Sequence, residues 1–235
     1  MENPNNTPLT IYEKLVIAFV ALLIIIGDIS AFINVHWYEN AYAEEDGFIE
    51  WLTVLPLLMA TVTAISYLIK LPSKRSWLFF TSILTIALFS FFAAGEEISW
   101  GQRIFHIQSS EYFKEHNAQG ETNLHNLVVD GEKVNKIIFS QLLSVLIGIY
   151  LILLPLLYQK NTAVKRFIDW AGVPVPRLYQ IMMAGGVFLL TAICPSGKAP
   201  EMLEFGICFT FLLIVAFPYN RNVFRKEQVN DEMIE

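Results

Sequence analysis

The chain is poor in charge. Lysine, arginine, aspartate and glutamate together make up 16% of its 235 residues, whereas a water-soluble domain carries about a quarter. It is also poor in cysteine, with only Cys194 and Cys208, so a disulfide framework does not hold it together. Cys194 falls at the end of one apolar run and Cys208 about two turns into the next, on the order of 10 Å deeper. That separation predicts two free thiols. Basic patches with interleaved aromatics are missing, which argues against a nucleic-acid partner. No Walker A loop, Rossmann fingerprint, HExxH or nucleophile elbow occurs, and the polar segments are too short for a nucleotide-binding domain. Internal repeats and low-complexity segments are absent as well.

What the chain has is apolar length. Hydrophobic residues make up 54% of it, and several runs reach the roughly 20 residues that cross a bilayer as helix. The reading is an all-α polytopic membrane protein, a six-span helical bundle forming one membrane domain over residues 1–235. The expected spans are 15–35, 48–69, 77–95, 137–158, 178–194 and 202–219. Pro56 and Pro155 fall inside spans and should kink them. Gly185-Gly186 should allow close helix packing. The first run lacks a positive flank and a small-residue cleavage site, so it reads as a span and not as a signal peptide.

Lysine and arginine placement orients the bundle. Eleven of these residues, including Lys14, Lys70, Lys165, Arg166, Arg177 and Arg221, fall on one side, and five fall on the other. Both termini are therefore expected in the cytoplasm, in a bacterial cytoplasmic (inner) membrane. All four histidines then lie at the outer face, with Glu39, Glu96, Glu97, Glu121 and Glu201. Glu50 and Glu204 dip about one turn below that face, and Asp28 about two turns. Acids inside spans are costly and by default mark function.

The outer-face loop 95–136 gathers most of the polar chemistry. Glu96 and Glu97 are adjacent carboxylates at a membrane boundary, a setting that suits a general acid or base, with Arg103 placed to hold the pair or an anionic headgroup. Aromatics from Trp100 to Phe113 predict an interfacial helix at headgroup level, followed by a second short helix capped by Ser109 or Ser110. Thr122 or Asn123 is placed to cap another, in which Glu121 and His125 would share a face. A carboxylate and an imidazole four apart suit a metal. The candidate ligands are Glu121, His125, His116 and Glu50, for zinc or calcium, and His116 is also a candidate proton shuttle.

Two segments resemble known families. Trp37-Tyr-Glu39-Asn-Ala41, followed by Glu50, resembles the calcium-site segment of alkaline ceramidases and their wider membrane hydrolase superfamily. Ala41 stands where that pattern has Asn, and His36 where it has Asp. Ala94-Gly95-Glu96-Glu97-Ile98-Ser99-Trp100 resembles the paired-glutamate motif of the CAAX-type membrane proteases. There the arginine follows four residues after the second glutamate, and here Arg103 follows six after. Each resemblance covers under a tenth of the chain. Together they imply carboxylates and histidines at a bilayer face that activate water against a lipid-like or membrane-borne substrate.

The expected function is a membrane-embedded hydrolase or transferase, with Glu96 or Glu97 as base. One alternative is a proton- or ion-coupled transporter using Asp28, Glu50 and Glu204. The other is a non-catalytic membrane assembly or interaction protein.

Overall fold

The computed structural model describes residue 5 and residues 7–44, 47–71, 75–124, 126–129, 132–133 and 143–225. His125, Glu45, Asp46 and Asp130, and the first six residues of the expected span 137–158, lie outside the described residues.

The described chain is helical apart from a two-residue antiparallel pair, β1 (Val128–Val129) and β2 (Glu132–Lys133). Among the described residues, four helices are long and apolar enough to cross a membrane: α1 (Ile11–Ile33), α3 (Phe48–Lys70), α4 (Trp77–Glu97) and α10 (Ala199–Ala216). Between α1 and α3 lie the single turn α2 (Val35–Trp37) and a π-helical turn, Tyr38–Tyr42. A fifth candidate is the bent pair formed by 145–160 and α8 (Thr162–Ala171), which meet at 119°. Helix α9 (Leu178–Ile193) is apolar but has 16 residues, about 24 Å at 1.5 Å per residue. Among the described residues, four to five candidate spans thus stand where six were expected.

Local chemistry moves the boundaries. Helix α1 starts four residues before the expected position because Thr10 and Glu13 form a reciprocal cap. The Thr10 N–H donates to Glu13 Oε2 at 2.7 Å, and the Glu13 N–H to Thr10 Oγ1 at 3.3 Å. Helix α10 starts three residues early because Pro200 sits in its first turn, where its missing N–H costs nothing. The Pro155 break takes the form of a π-turn, Ile149–Leu153, between α6 (Leu143–Gly148) and α7 (Leu154–Lys160).

The helices are inside out by the standard of a soluble protein. On α1 the buried stripe is Glu13, Val20, Ile24, Gly27, Asp28 and Ala31. Its exposed face carries Leu15, Leu22, Ile25, Ile29 and Phe32. An apolar exterior wrapped around a stripe containing two acids fits an integral membrane protein. Close approach of α9 and α10 occurs at Gly206, where a Cβ would fall 2.5 Å from the Val187 side chain. Gly185 and Gly186 have no neighbour within 4 Å of such a Cβ, so they are not the packing glycines.

The bundle has two polar ends. At the basic end, Arg177 Nη1 donates to Glu13 Oε1 at 2.8 Å, with the two side chains 1% and 0% exposed. Tyr179 OH donates to the same oxygen at 2.7 Å, and Arg177 Nη2 to the Thr7 carbonyl at 2.8 Å. Gln180 Nε2 donates to the last carbonyls of α10, Leu213 at 2.9 Å and Phe217 at 3.1 Å. These bonds lock α1, α9 and α10 together. The acidic end holds Glu50, Glu97, Glu201 and Glu204.

Candidate functional site

The acidic end is roofed by residues 96–124, and its construction starts with a chain reversal after α4. Ser99 and Trp100 both take left-handed backbone, at φ 46° and 55°, a conformation that costs energy outside glycine. The reversal folds the Trp100 ring back over Gly95, where a Cβ would lie 2.8 Å from the indole. From there Trp100 Nε1 donates to Glu96 Oε1 at 2.8 Å, and the ring meets Phe92 edge-on at 5.6 Å. Glu96 Oε2 accepts the Leu124 N–H across 28 positions of chain. The carboxylate, 6% exposed, is thus an anchor between α4 and the far end of the loop.

A second carboxylate completes the roof. Buried Glu121 accepts from Ser99 Oγ and from Arg103 Nε. Asn123 Nδ2 donates to Ser99 Oγ at 2.7 Å, and Asn117 Nδ2 to Asn123 Oδ1 at 2.8 Å. The Thr122 N–H donates to Gln102 Oε1 at 2.9 Å, while Gln102 Nε2 donates to Ser109 Oγ at 2.7 Å. The side chains of this lattice are polar, so the loop holds its shape by hydrogen bonding and not by an apolar core.

The lattice changes the local expectations. Residues 100–113 do not form an interfacial helix; they make a 3-10 turn, Ser99–Gly101, followed by turns. The second short helix is present as α5 (Glu111–His116), with Ser110 at its N-cap and Glu111 in its first turn. Residues 121–124 are not helical, because Glu121, Thr122 and Asn123 are engaged in the lattice. The exposed apolar side chains expected there do occur: Trp100, Ile104, Phe105, Ile107 and Tyr112.

Beneath the roof, Glu97 turns into the bundle. Its electrostatic neighbours are Glu204 first, then Glu50, Glu201 and Glu96; Glu204 in turn faces Glu201 and Glu50. Three helices, α3, α4 and α10, each bring a partly buried carboxylate to this place. Cys208, one turn below Glu204, faces both Glu97 and Glu204. Among the described residues, none donates a hydrogen bond to Glu97 or Glu204. The sequence placed each of these acids at the same face but gave no sign that Glu97, and not Glu96, would join the intramembrane pair.

The three described histidines do not join it. His36, His106 and His116 are exposed. His116 stacks on Tyr112 at 4.5 Å, with Nδ1 2.9 Å from the Tyr112 carbonyl. Among the described residues no group of three His, Cys, Asp or Glu side chains is arranged to hold a metal ion, and His125 lies outside them. Glu39 accepts from Ser196 Oγ at 2.7 Å, tying the turn after α2 to the α9–α10 connection.

A smaller polar group lies beside the C-terminal end of α1. Asp28, 6% exposed, has Oδ1 without a hydrogen-bond partner among the described residues. It faces Cys194 and the phenols of Tyr38 and Tyr42. Burial, and then the Asp28 carboxylate, pushes the Tyr42 hydroxyl up to about 12. Burial likewise pushes the Cys194 thiol up. Both cysteines are free.

Comparison with protein-family models, with curated proteins and with solved structures yields no match to this chain.

Proposed function

We propose that the protein is a membrane-embedded hydrolase or transferase acting on a lipid-like or membrane-borne substrate at its acidic end, which the lysine and arginine bias puts at the outer face. The observation that carries this reading is the convergence of Glu97, Glu50 and Glu204 from three helices beneath a hydrogen-bonded roof. Glu97 is the acid–base group, since nothing among the described residues already uses its carboxylate. A group in that position takes a proton from water or a substrate hydroxyl and returns it to the leaving group. Glu50 and Glu204 are the companion carboxyl groups, placed to exchange a proton with it. Glu96, Glu121 and Arg103 are positioning residues that fix the roof, which departs from the equal weighting of Glu96 and Glu97 in the sequence. The exposed edge of Trp100, Ile104, Phe105 and Ile107 gives an acyl chain a lateral approach from the membrane.

A carrier is the second reading, and the buried Asp28 oxygen without a partner favours it. One experiment separates the two. The purified protein in vesicles is given acyl-ester and phosphate-ester lipids, and product release is followed. The hydrolase reading expects turnover that falls at least a hundredfold in Glu97→Gln and is unchanged in Asp28→Asn. No turnover on either class, together with proton-linked uptake lost in Asp28→Asn, would replace it with the carrier.

A further inference from the structure

We propose that α8 and the start of α4 form a binding surface for anionic phospholipid headgroups at the basic end of the bundle. This is the end opposite the acidic site, and the proposal does not rest on the function argued above.

The turn between α7 and α8 redirects the chain. Asn161 ends α7 and caps α8, its Oδ1 accepting the N–H groups of Ala163 and Val164 at 2.9 and 3.1 Å. The 119° bend turns α8 away from the direction of α7. The ten residues then separate into three stripes. Val164, Ile168 and Ala171, spaced four and three apart, face the protein: Ile168 and Ala171 are buried and Val164 partly so. Ala163, Phe167 and Trp170, with the same spacing, are exposed, Phe167 at 56% and Trp170 at 49%. Thr162, Lys165, Arg166 and Asp169 occupy the remaining arc. The protein covers one apolar stripe, and the other has no partner among the described residues.

The exposed stripe continues onto α4. Ser76, the N-cap of α4, donates its Oγ to the Trp170 carbonyl, which brings Trp77, 70% exposed, beside the end of α8. A line of aromatic rings at a helix that skims the end of a membrane bundle belongs at headgroup depth.

Charge identifies the lipid. The one acid on α8, Asp169, is turned inward: Tyr158 OH donates to its two oxygens at 2.8 and 3.1 Å, and Asn220 Nδ2 donates to Oδ1 at 3.1 Å. What α8 and the end of α7 present outward is Lys160, Lys165 and Arg166, all exposed. Lys165 packs its ammonium over the Tyr158 ring at 5.7 Å. Arg166 borders the exposed stripe, where a long side chain reaches headgroup phosphates while its stem lies on lipid. Aromatic depth with cations above it that form no ion pair among the described residues fits a phosphodiester carrying net negative charge, and a zwitterionic headgroup satisfies only part of it.

The test uses the full chain reconstituted with equal parts of phosphatidylglycerol and phosphatidylcholine, then extracted, with retained lipid counted by mass spectrometry. Phosphatidylglycerol should be enriched around the wild type. Lys160→Gln and Arg166→Gln should each lower that enrichment about fivefold, and Lys198→Gln, at the acidic end, should leave it unchanged. Brominated phosphatidylglycerol should quench the emission component that Trp170→Phe removes. These substitutions are at exposed positions, and circular dichroism checks that helix content is kept. Enrichment that is equal in wild type and the α8 variants, or lowered as much by Lys198→Gln, would overturn the proposal, as would Trp170 emission untouched by the brominated lipid.

Discussion

Glu96 and Glu97 share a peptide bond and face different surroundings. Glu96 turns up into the roof, accepting from Trp100 Nε1 at 2.8 Å and from the Leu124 N–H. Glu97 turns down toward Glu204 and Glu50. The two carboxylates therefore answer differently to the same change. Glu96→Gln puts an amide donor where a donor already points, and should cost about 1–3 kcal/mol, the usual loss for a charge-assisted bond and an unsatisfied buried group. That is a fall of several degrees in the melting temperature of the purified protein. Glu97→Gln breaks no hydrogen bond among the described residues and should leave the melting temperature nearly unchanged. Thermal unfolding of both variants in one detergent checks the pair.

Gly95 is required by the ring that packs on it. A methyl group at that position would sit 2.8 Å from the Trp100 indole, so Gly95→Ala must displace the ring and its bond to Glu96. The expected cost is about 1–3 kcal/mol, typical of overpacking. In Trp100→Leu the same substitution should cost much less. Stabilities of the two single variants and the double measure this coupling, and additive losses would mean that the ring and the glycine do not meet.

The buried pair at the basic end makes an asymmetric prediction. Arg177→Met alone leaves the Glu13 carboxylate without its cation and should cost about 3–5 kcal/mol. Adding Glu13→Gln should recover most of that loss, since the remaining groups can hydrogen-bond as neutral partners. The denaturation midpoints of wild type, single and double variants decide it.

How much of this was legible in the sequence depends on the kind of force involved. Long apolar runs announced α1, α3, α4 and α10, because burial in lipid needs only length and composition. Glu13 is invisible in the sequence as a core residue, because its role depends on Arg177, 164 positions away. Helix α8 was lost because a charged ten-residue segment looks like a connector until its two apolar stripes are separated. In the candidate site, the gathering of carboxylates at one face was readable from helix ends and the lysine and arginine bias. The division of labour between Glu96 and Glu97 was not, because it is set by left-handed backbone at Ser99 and Trp100. Neither residue is glycine, and no local propensity predicts that turn.

Cys194 should react slowly with alkylating agents. Burial pushes its thiol up, so the thiolate fraction at neutral pH is smaller than for a free cysteine, whose pKa is about 8.5. In a Cys208→Ala background the maleimide rate should still climb close to tenfold per pH unit where a free thiol levels off. A rate that plateaus below pH 8.5 would contradict this placement.

The most direct test of the acidic site is stoichiometric labelling with dicyclohexylcarbodiimide, an apolar reagent that attacks carboxyl groups in membrane surroundings. If Glu97, Glu50 and Glu204 share one site, the first bulky adduct excludes the others. Mass spectrometry should then find about one label per chain among these three residues, and Glu97→Gln should shift or abolish it. Independent labelling of all three on the same chain would show that the carboxylates do not converge.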